Sequence, residues 1–206
     1  MRTIALPAGF GLLGLALVLG FGAGSFTVHM VAHMGIVAVA APLIAYGLVG
    51  TRRDPLARWN WMTPMLASLI ELVVVWFWHM PVLRAAADAS LVLLLVEQAS
   101  FLAAGLLLWT TCLRPGDGRL AGTIGLLFTS MHMTLLGVLL ALAPRPLYGD
   151  GAVTCFGIPL SAAADQQIGG VVMLMVGALS YLAGGVALLA GLLREDGPQP
   201  AEGPRC

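Results

Sequence analysis

All four histidines of this chain have a methionine as a direct neighbour. Two of them lie in the run from His29 to Met34, in which His33 follows His29 by four residues. The other two, His79 and His132, lie within or at the end of apolar stretches. Imidazole and thioether together are a ligand mixture that suits copper, particularly Cu(I). The pattern therefore predicts a copper site, with candidate ligands His29, His33, His79, His132, Met30 and Met34.

A packing role is the alternative for each histidine. The four-residue spacing places His29 and His33 on one helix face, about 6 Å apart. This pair and His79 could instead lie at the level of the lipid headgroups, where water satisfies the rings. His132 is predicted to lie about 15 Å below the outer membrane boundary, too deep to reach the headgroups. It must therefore face the interior of the protein and find a partner there.

Three acidic residues fall close to the same apolar stretches. Glu71 lies in the middle of the third stretch, and Glu97 lies about two turns inside the fourth. Either carboxyl could accept the free N–H of a metal-bound imidazole, or the two could form a proton path. Asp165 stands at the start of the last stretch, where it could join the same pocket or cap its own helix.

Composition identifies the elements that position these residues. Apolar residues make up 59% of the chain and charged residues 10%, with a mean hydropathy of +0.94, outside the usual soluble range. A membrane span needs about 20 apolar residues, and such spans must be helices or closed barrels. The stretches are too long for barrel strands, which predicts an all-α, polytopic transmembrane bundle over residues 1–194, followed by a disordered cytoplasmic tail over 195–206. The six predicted helices fall near 4–23, 28–49, 62–80, 89–112, 120–142 and 168–193.

Arginine alone reports the orientation, because the chain has no lysine. Both termini and the loops near 50–61 and 113–119 share one side, which by the positive-inside rule is cytoplasmic. Loops near 24–27, 81–88 and 143–167 then face outward, and the last of them, broken by Pro and Gly, is expected to lack regular structure and to fold over the outer face. An alternative is that the first stretch is a cleaved signal peptide. Eight arginines lie on the inner side and two, Arg84 and Arg145, on the outer side. The inner ones are Arg2, Arg52, Arg53, Arg58, Arg114, Arg119, Arg194 and Arg205.

Several functional classes are excluded. The formal net charge is zero and no basic run occurs, which argues against nucleic-acid binding. No nucleophile–base pattern and no phosphate-binding glycine loop is present, so the chain is not expected to be an enzyme. Glycines 170, 177, 184 and 191 recur every seven residues in the last stretch, which predicts close packing against a neighbouring helix.

Several motifs make the chain similar to one family. It resembles the multi-spanning CtaG family of cytochrome c oxidase assembly factors. The matching residues are His29-Met30-x-x-His33-Met34, Ala41-Pro42-Leu43, Trp78-His79-x-Pro81, Glu97-x3-Phe101-x3-Gly105-x3-Trp109, His132 with Gly137, Tyr148, and Asp165-Gln166-x2-Gly169-Gly170-x2-Met173. The resemblance implies a multi-pass protein of the bacterial inner membrane that helps to build a haem–copper oxidase. Its implied partners are oxidase subunits, the lipid bilayer and a copper donor protein.

The combined interpretation is a bundle with an outward-opening polar pocket that captures Cu(I) and passes it to a nascent oxidase subunit. The predicted lining is His29, His33, His79, His132, Glu97 and Asp165. The chain departs from the family pattern at Gln98, where many relatives have histidine, and it is short enough that a partner could complete the bundle. Alternatives are a b-type haem protein with axial histidines, a metal-free scaffold for oxidase subunits, and a proton or ion carrier.

Overall fold

The computed structural model describes residues 2–21, 24–52, 54, 59, 61–114 and 119–195. Gly22 and Ala23 of the possible cleavage site Gly22-Ala23-Gly24-Ser25, residues 196–206 of the predicted tail, and Arg53, Arg58 and Arg205 lie outside these residues. The helices are α1 (Arg2–Phe21), α2 (Phe26–Leu48), α3 (Pro64–Trp78), α4 (Pro81–Ala89), α5 (Leu91–Cys112), α6 (Arg119–Ala141) and α7 (Ala162–Glu195). The strands are β1 (Ala152–Cys155) and β2 (Ile158–Ser161).

These helices confirm the predicted transmembrane bundle. Five of the described helices are long and apolar enough to cross a membrane, and α3 with α4 makes a sixth candidate span that is bent by 72°. Helices α6 and α7 pack along each other, while α5 packs on α2, α3 and α6. We call the side that holds Arg2, Gly50, Arg114 and Arg119 the terminal face, and the side that holds α4 and the strands the hairpin face.

Helix α2 changes its winding just after His33. It forms a π-helix over Gly35–Ala40, and Pro42 follows with no N–H to donate to the carbonyl of Ala38. The hydroxyl of Ser180 donates to that carbonyl at 2.5 Å, and the indole of Trp109 donates to the preceding carbonyl at 3.1 Å. Side chains of α5 and α7 therefore bind the irregular segment and fix α2 between them.

The α6–α7 contact requires glycine. A Cβ added at Gly137 would lie 2.9 Å from the carbonyl oxygen of Gly170, and one added at Gly170 would lie 2.7 Å from the nitrogen of Ala141. Gly177 and Gly184 also face neighbouring helices at short range. The predicted packing stripe on the last helix is therefore confirmed, and its backbone contacts explain how α6 and α7 come so close.

Two outer segments are more regular than the sequence suggested. The predicted loop at 81–88 is helix α4, which Pro81 starts because its fixed φ suits the first turn of a helix. The expectation of irregular structure throughout 143–167 is also wrong. Strands β1 and β2 pair as an antiparallel hairpin, and α7 begins at Ala162, six residues before the predicted start at 168. Gly157 at the hairpin turn has a φ of +85°, which explains its glycine.

Candidate functional site

A polar cavity of about 380 Å³ opens at the hairpin face. Its walls come from the start of α2, from α4, from the loop after α6 and from the start of α7. The polar side chains that line it are Ser25, His29, Arg84, Asp88, Tyr148 and Asp165. Two of the predicted pocket residues, His29 and Asp165, thus share one cavity.

Arg84 is the central charge of this cavity. The 72° bend between α3 and α4 turns the guanidinium back toward α5, where Nη1 lies 2.7 Å from both carboxylate oxygens of Glu97. The opposite edge of the guanidinium pairs with Asp88, one turn later on α4. Arg84 is 5% exposed and Glu97 is fully buried, whereas the Asp88 side chain is 55% exposed. A bilayer-embedded carboxylate is therefore neutralised by a cation from the neighbouring helix.

His29 lies against the same ion pair. Nη1 of Arg84 is 3.1 Å from Nδ1 and 3.0 Å from Nε2 of the ring. Nearly equal distances to both nitrogens place the cation over the ring face rather than in line with either lone pair. Nε2 is also 3.4 Å from a Glu97 oxygen. Glu97 therefore does contact an imidazole, as the sequence suggested, but its shortest bonds are to Arg84.

Below the cavity, two more histidines lie next to each other. The rings of His33 and His79 are 5.4 Å apart between centroids, and the ring of Phe101 lies 4.0 Å from that of His33. His79 Nδ1 is 2.7 Å from the carbonyl oxygen of Val75 and donates to it. Its Nε2, and both nitrogens of His33, have no hydrogen-bond partner among the described residues. Three nitrogens on these two neighbouring rings are thus buried without a partner in the described part of the chain.

Asp165 ties α7 to α2. Its carboxylate accepts from the backbone nitrogens of Phe26 and Thr27 at 2.6 and 3.1 Å and from the hydroxyl of Ser25 at 2.6 Å. The predicted N-cap role on its own helix is wrong, because α7 begins three residues earlier at Ala162. Asp165 instead satisfies the open N–H groups of the neighbouring helix, the one that carries His29.

Tyr148 closes the cavity from above. Its ring stacks on that of Phe26 at 4.3 Å, and its hydroxyl donates to the carbonyl oxygen of His79 at 2.7 Å. Burial raises the pKa of this phenol above its ordinary value, against the opposing effect of nearby Arg84. The phenol therefore stays protonated and able to donate. As expected, the outer loop folds over this face of the bundle.

The remaining predicted residues lie elsewhere. Met30 and Met34 pack toward Gly169 and Gly177 of α7. The ring of His132 lies 5.7 Å from that of Phe128, and neither of its nitrogens has a hydrogen-bond partner in the described part of the chain.

Glu71 is held apart from the Arg84 cluster. Its Oε1 accepts from the hydroxyl of Tyr181 at 2.9 Å, and its Oε2 has no partner among the described residues. Each of the two buried glutamates thus bonds to a different helix, Glu97 to α4 and Glu71 to α7.

The sequence interpretation missed Arg84 as a site residue. It counted this residue only as one of two outer arginines. The signal that could have found it is the spacing Arg84-x3-Asp88 directly after Pro81. A proline that starts a helix, followed by oppositely charged residues four apart, is typical of a short helix with an internal ion pair.

Within the described residues, no group of three or more His, Cys, Asp or Glu side chains has the arrangement of a metal site. One protein-family model, described as Caa3_CtaG, cytochrome c oxidase caa3 assembly factor, matches residues 1–195. No curated protein and no solved structure matches the chain significantly. The family match spans nearly the whole sequence.

Proposed function

The chain belongs to the family of cytochrome c oxidase caa3 assembly factors, and from this premise we propose that it carries Cu(I) as cargo between His33 and His79. The ion would pass from there to a nascent oxidase subunit. The observation that supports this proposal is the pair of buried imidazoles whose ring centroids are 5.4 Å apart, with three ring nitrogens that have no partner among the described residues.

The tautomer of His79 supports a ligand role. Because Nδ1 donates to the carbonyl of Val75 at 2.7 Å, a neutral ring carries its lone pair on Nε2. Ligating histidines are commonly oriented in this way, with the second nitrogen bound to a backbone carbonyl. Buried polar atoms without partners cost about 1–3 kcal/mol each. An ion between the rings would remove that cost from His79 Nε2 and from one nitrogen of His33.

A site with only two protein ligands is better suited to an ion that is passed on than to one that stays permanently bound. Structural metal sites are closed by a full set of ligands, whereas an incomplete set leaves room for a ligand from a partner. Imidazole is a good copper ligand, and softer thiolate or thioether groups on a receiving subunit would compete for the ion. Ligand exchange would therefore carry the copper onward without any chemical transformation by this chain. His29, at the outer cavity above, is the histidine nearest to an arriving donor protein in this proposal.

The geometry does not favour the haem alternative. A bis-histidine haem needs a flat space as wide as the macrocycle between two rings. His33 and His79 meet edge to face at 64°, and Phe101 lies directly against His33.

Copper stoichiometry tests the proposal. Protein purified in detergent would be loaded with Cu(I) without oxygen, and copper per chain measured for wild type and the His33→Ala/His79→Ala variant. The matched control is His132→Ala, which removes another buried imidazole outside the pair, also without a hydrogen-bond partner among the described residues. We expect about one copper in wild type and in the control, and a loss of tight binding in the double variant.

Copper that stays bound in the double variant would refute the assignment of the site to His33 and His79. The absence of copper from the wild type would refute the proposal that the protein carries Cu(I). A Soret absorption band in the purified wild type would favour haem. Oxidase that assembles normally with the double variant would favour the metal-free scaffold.

A further inference from the structure

The tip of the β1–β2 hairpin carries two exposed apolar side chains at the outer end of the bundle. Phe156 is 63% exposed and Ile158 is 61% exposed. The sequence has no charged residue between Gly151 and Ala164. Exposed apolar side chains that lie together outside the membrane spans typically mark an interaction site. The hairpin tip, defined as Phe156 and Ile158, is therefore a candidate contact surface.

The backbone at Phe156 is one that an aromatic residue rarely adopts. Cys155 pairs with Ile158, so Phe156 and Gly157 form a two-residue turn. Their φ angles are +48° and +85°, as in type I′ turns, which favour Asn-Gly or Asp-Gly. A bulky side chain is unfavourable in this conformation, and an exposed ring gains little from packing within the chain. A contact outside the chain accounts for an aromatic residue here.

The hairpin lies outside the hydrocarbon region of the membrane. Its second strand leads directly into α7, and the amide of Ala162 donates to the carbonyl of Gly151 at 2.8 Å. The apolar stretch of α7 begins at Ile168, about 9 Å further along the helix. Asp165, Gln166 and the exposed Gln167 occupy the intervening turns. The tip is therefore held above the acyl chains, where an extramembrane surface of a partner can reach it.

The same hairpin borders the outer polar cavity. Val153 of β1 is part of the cavity lining, together with Tyr148 just before the hairpin. Cys155 is buried, which fixes the strand against the bundle while the tip stays exposed. A partner that binds the tip therefore sits beside the mouth of the cavity.

We infer that the hairpin tip is the docking surface for the oxidase subunit that this protein helps to assemble. The inference rests on the assembly role of the family, because assembly requires contact with a subunit, and it does not require copper. Aromatic side chains are typical anchors of protein interfaces. The subunit is expected to present an uncharged, apolar pocket on its extramembrane part, since the tip offers no charge.

Site-specific photocrosslinking in the cell membrane tests this inference. A benzophenone amino acid would replace Phe156 in the full chain, co-produced with the oxidase, and would replace Trp61 in the matched control. Trp61 is also aromatic and is 64% exposed, but it lies near the terminal face, stacked on Trp59. After irradiation, we expect mass spectrometry to identify an oxidase subunit crosslinked to position 156 and not to position 61.

The other products of irradiation would overturn the inference. Adducts with lipid alone would assign the tip to the membrane surface. Adducts only with a second copy of this chain would assign it to self-association. The absence of any oxidase subunit from the adducts of position 156 would also count against the docking surface.

Phe156→Asn provides an independent measurement of affinity. Asparagine suits a positive φ, so the turn is retained while the aromatic contact is lost. In detergent, we expect the subunit identified by crosslinking to bind Phe156→Asn roughly tenfold more weakly than wild type, whereas Trp61→Asn should bind like wild type. An unchanged affinity of Phe156→Asn would refute the inference.

Copper content separates this inference from the copper proposal. Phe156→Asn should lose subunit binding but keep the copper content of wild type, because the tip contains neither His33 nor His79. A wild type that binds the subunit through the tip but holds no copper would refute the copper proposal alone.

Discussion

Replacing Arg84 by glutamine should destabilise the protein strongly. The guanidinium is buried, and its Nη1 lies 2.7 Å from both oxygens of Glu97, a carboxylate with no exposed surface. Glutamine keeps a polar side chain, although a shorter one, and removes the positive charge. The Arg84→Gln variant would therefore leave the Glu97 carboxylate inside the bundle without the cation that neutralises it.

The expected magnitude follows from the burial of the pair. At an effective dielectric constant of about 20, opposite charges about 4 Å apart attract by about 4 kcal/mol. Removing one partner of a buried ion pair typically costs about 3–5 kcal/mol, because the other charge loses its compensation. Arg84→Gln/Glu97→Gln removes both charges together. The double variant should therefore be more stable than the sum of the single losses predicts, by up to about 3 kcal/mol.

Unfolding in mixed micelles of mild detergent and dodecyl sulfate would measure the four free energies of unfolding in this cycle. Asp88→Asn is the control, because Asp88 binds the same guanidinium but its side chain is 55% exposed. Its loss should cost no more than about 1 kcal/mol. Additive losses at Arg84 and Glu97 would refute the reasoning, since they would mean that neither charge depends on the other.

Three further variants test contacts of the fold. Gly137→Ala places a methyl group within 2.9 Å of the α7 backbone and should lower the melting temperature, whereas Gly11→Ala, with no described atom within 4 Å, should not; equal changes would contradict the close packing. Tyr148→Phe removes the bond to the His79 carbonyl and should cost about 1 kcal/mol of unfolding free energy, with faster amide exchange in the outer loop; unchanged exchange would argue against closure by this residue. Asp165→Ala should cost about 2 kcal/mol by uncapping α2, and wild-type stability would contradict that cap.

The membrane-spanning framework could be predicted from the sequence because it depends on local composition. Long apolar stretches must form helices in a bilayer, whatever their neighbours are. The same dependence on local composition explains where the predicted helices differ from the observed ones. Helix α4 is short and carries Arg84 and Asp88, so its composition resembles that of a loop. The apolar stretch of the last helix begins at 168, after the polar residues Asp165, Gln166 and Gln167, whereas the helix itself begins at Ala162.

The partners of the polar residues could not be predicted, because they depend on which helices are neighbours. Hydropathy identified Glu71 and Glu97 as buried carboxyls, and both are buried. It could not show that Glu97 meets a cation from a bent outer helix. It also could not show that Asp165 caps α2 instead of its own helix, since the two segments are separated by 138 to 140 residues in sequence.

The contrast between satisfied and unsatisfied polar groups is what directs attention to the imidazoles. A bilayer makes every unpaired polar group costly, and this bundle pairs Glu97 with Arg84 and encloses Asp165 in three hydrogen bonds. His33 has none among the described residues, although it is completely buried, and Nε2 of the neighbouring His79 also has none there. Glu71, Gln98 and His132 also have buried polar atoms without partners among the described residues. The closeness of His33 and His79, whose ring centroids are 5.4 Å apart, is therefore what supports the proposed copper site.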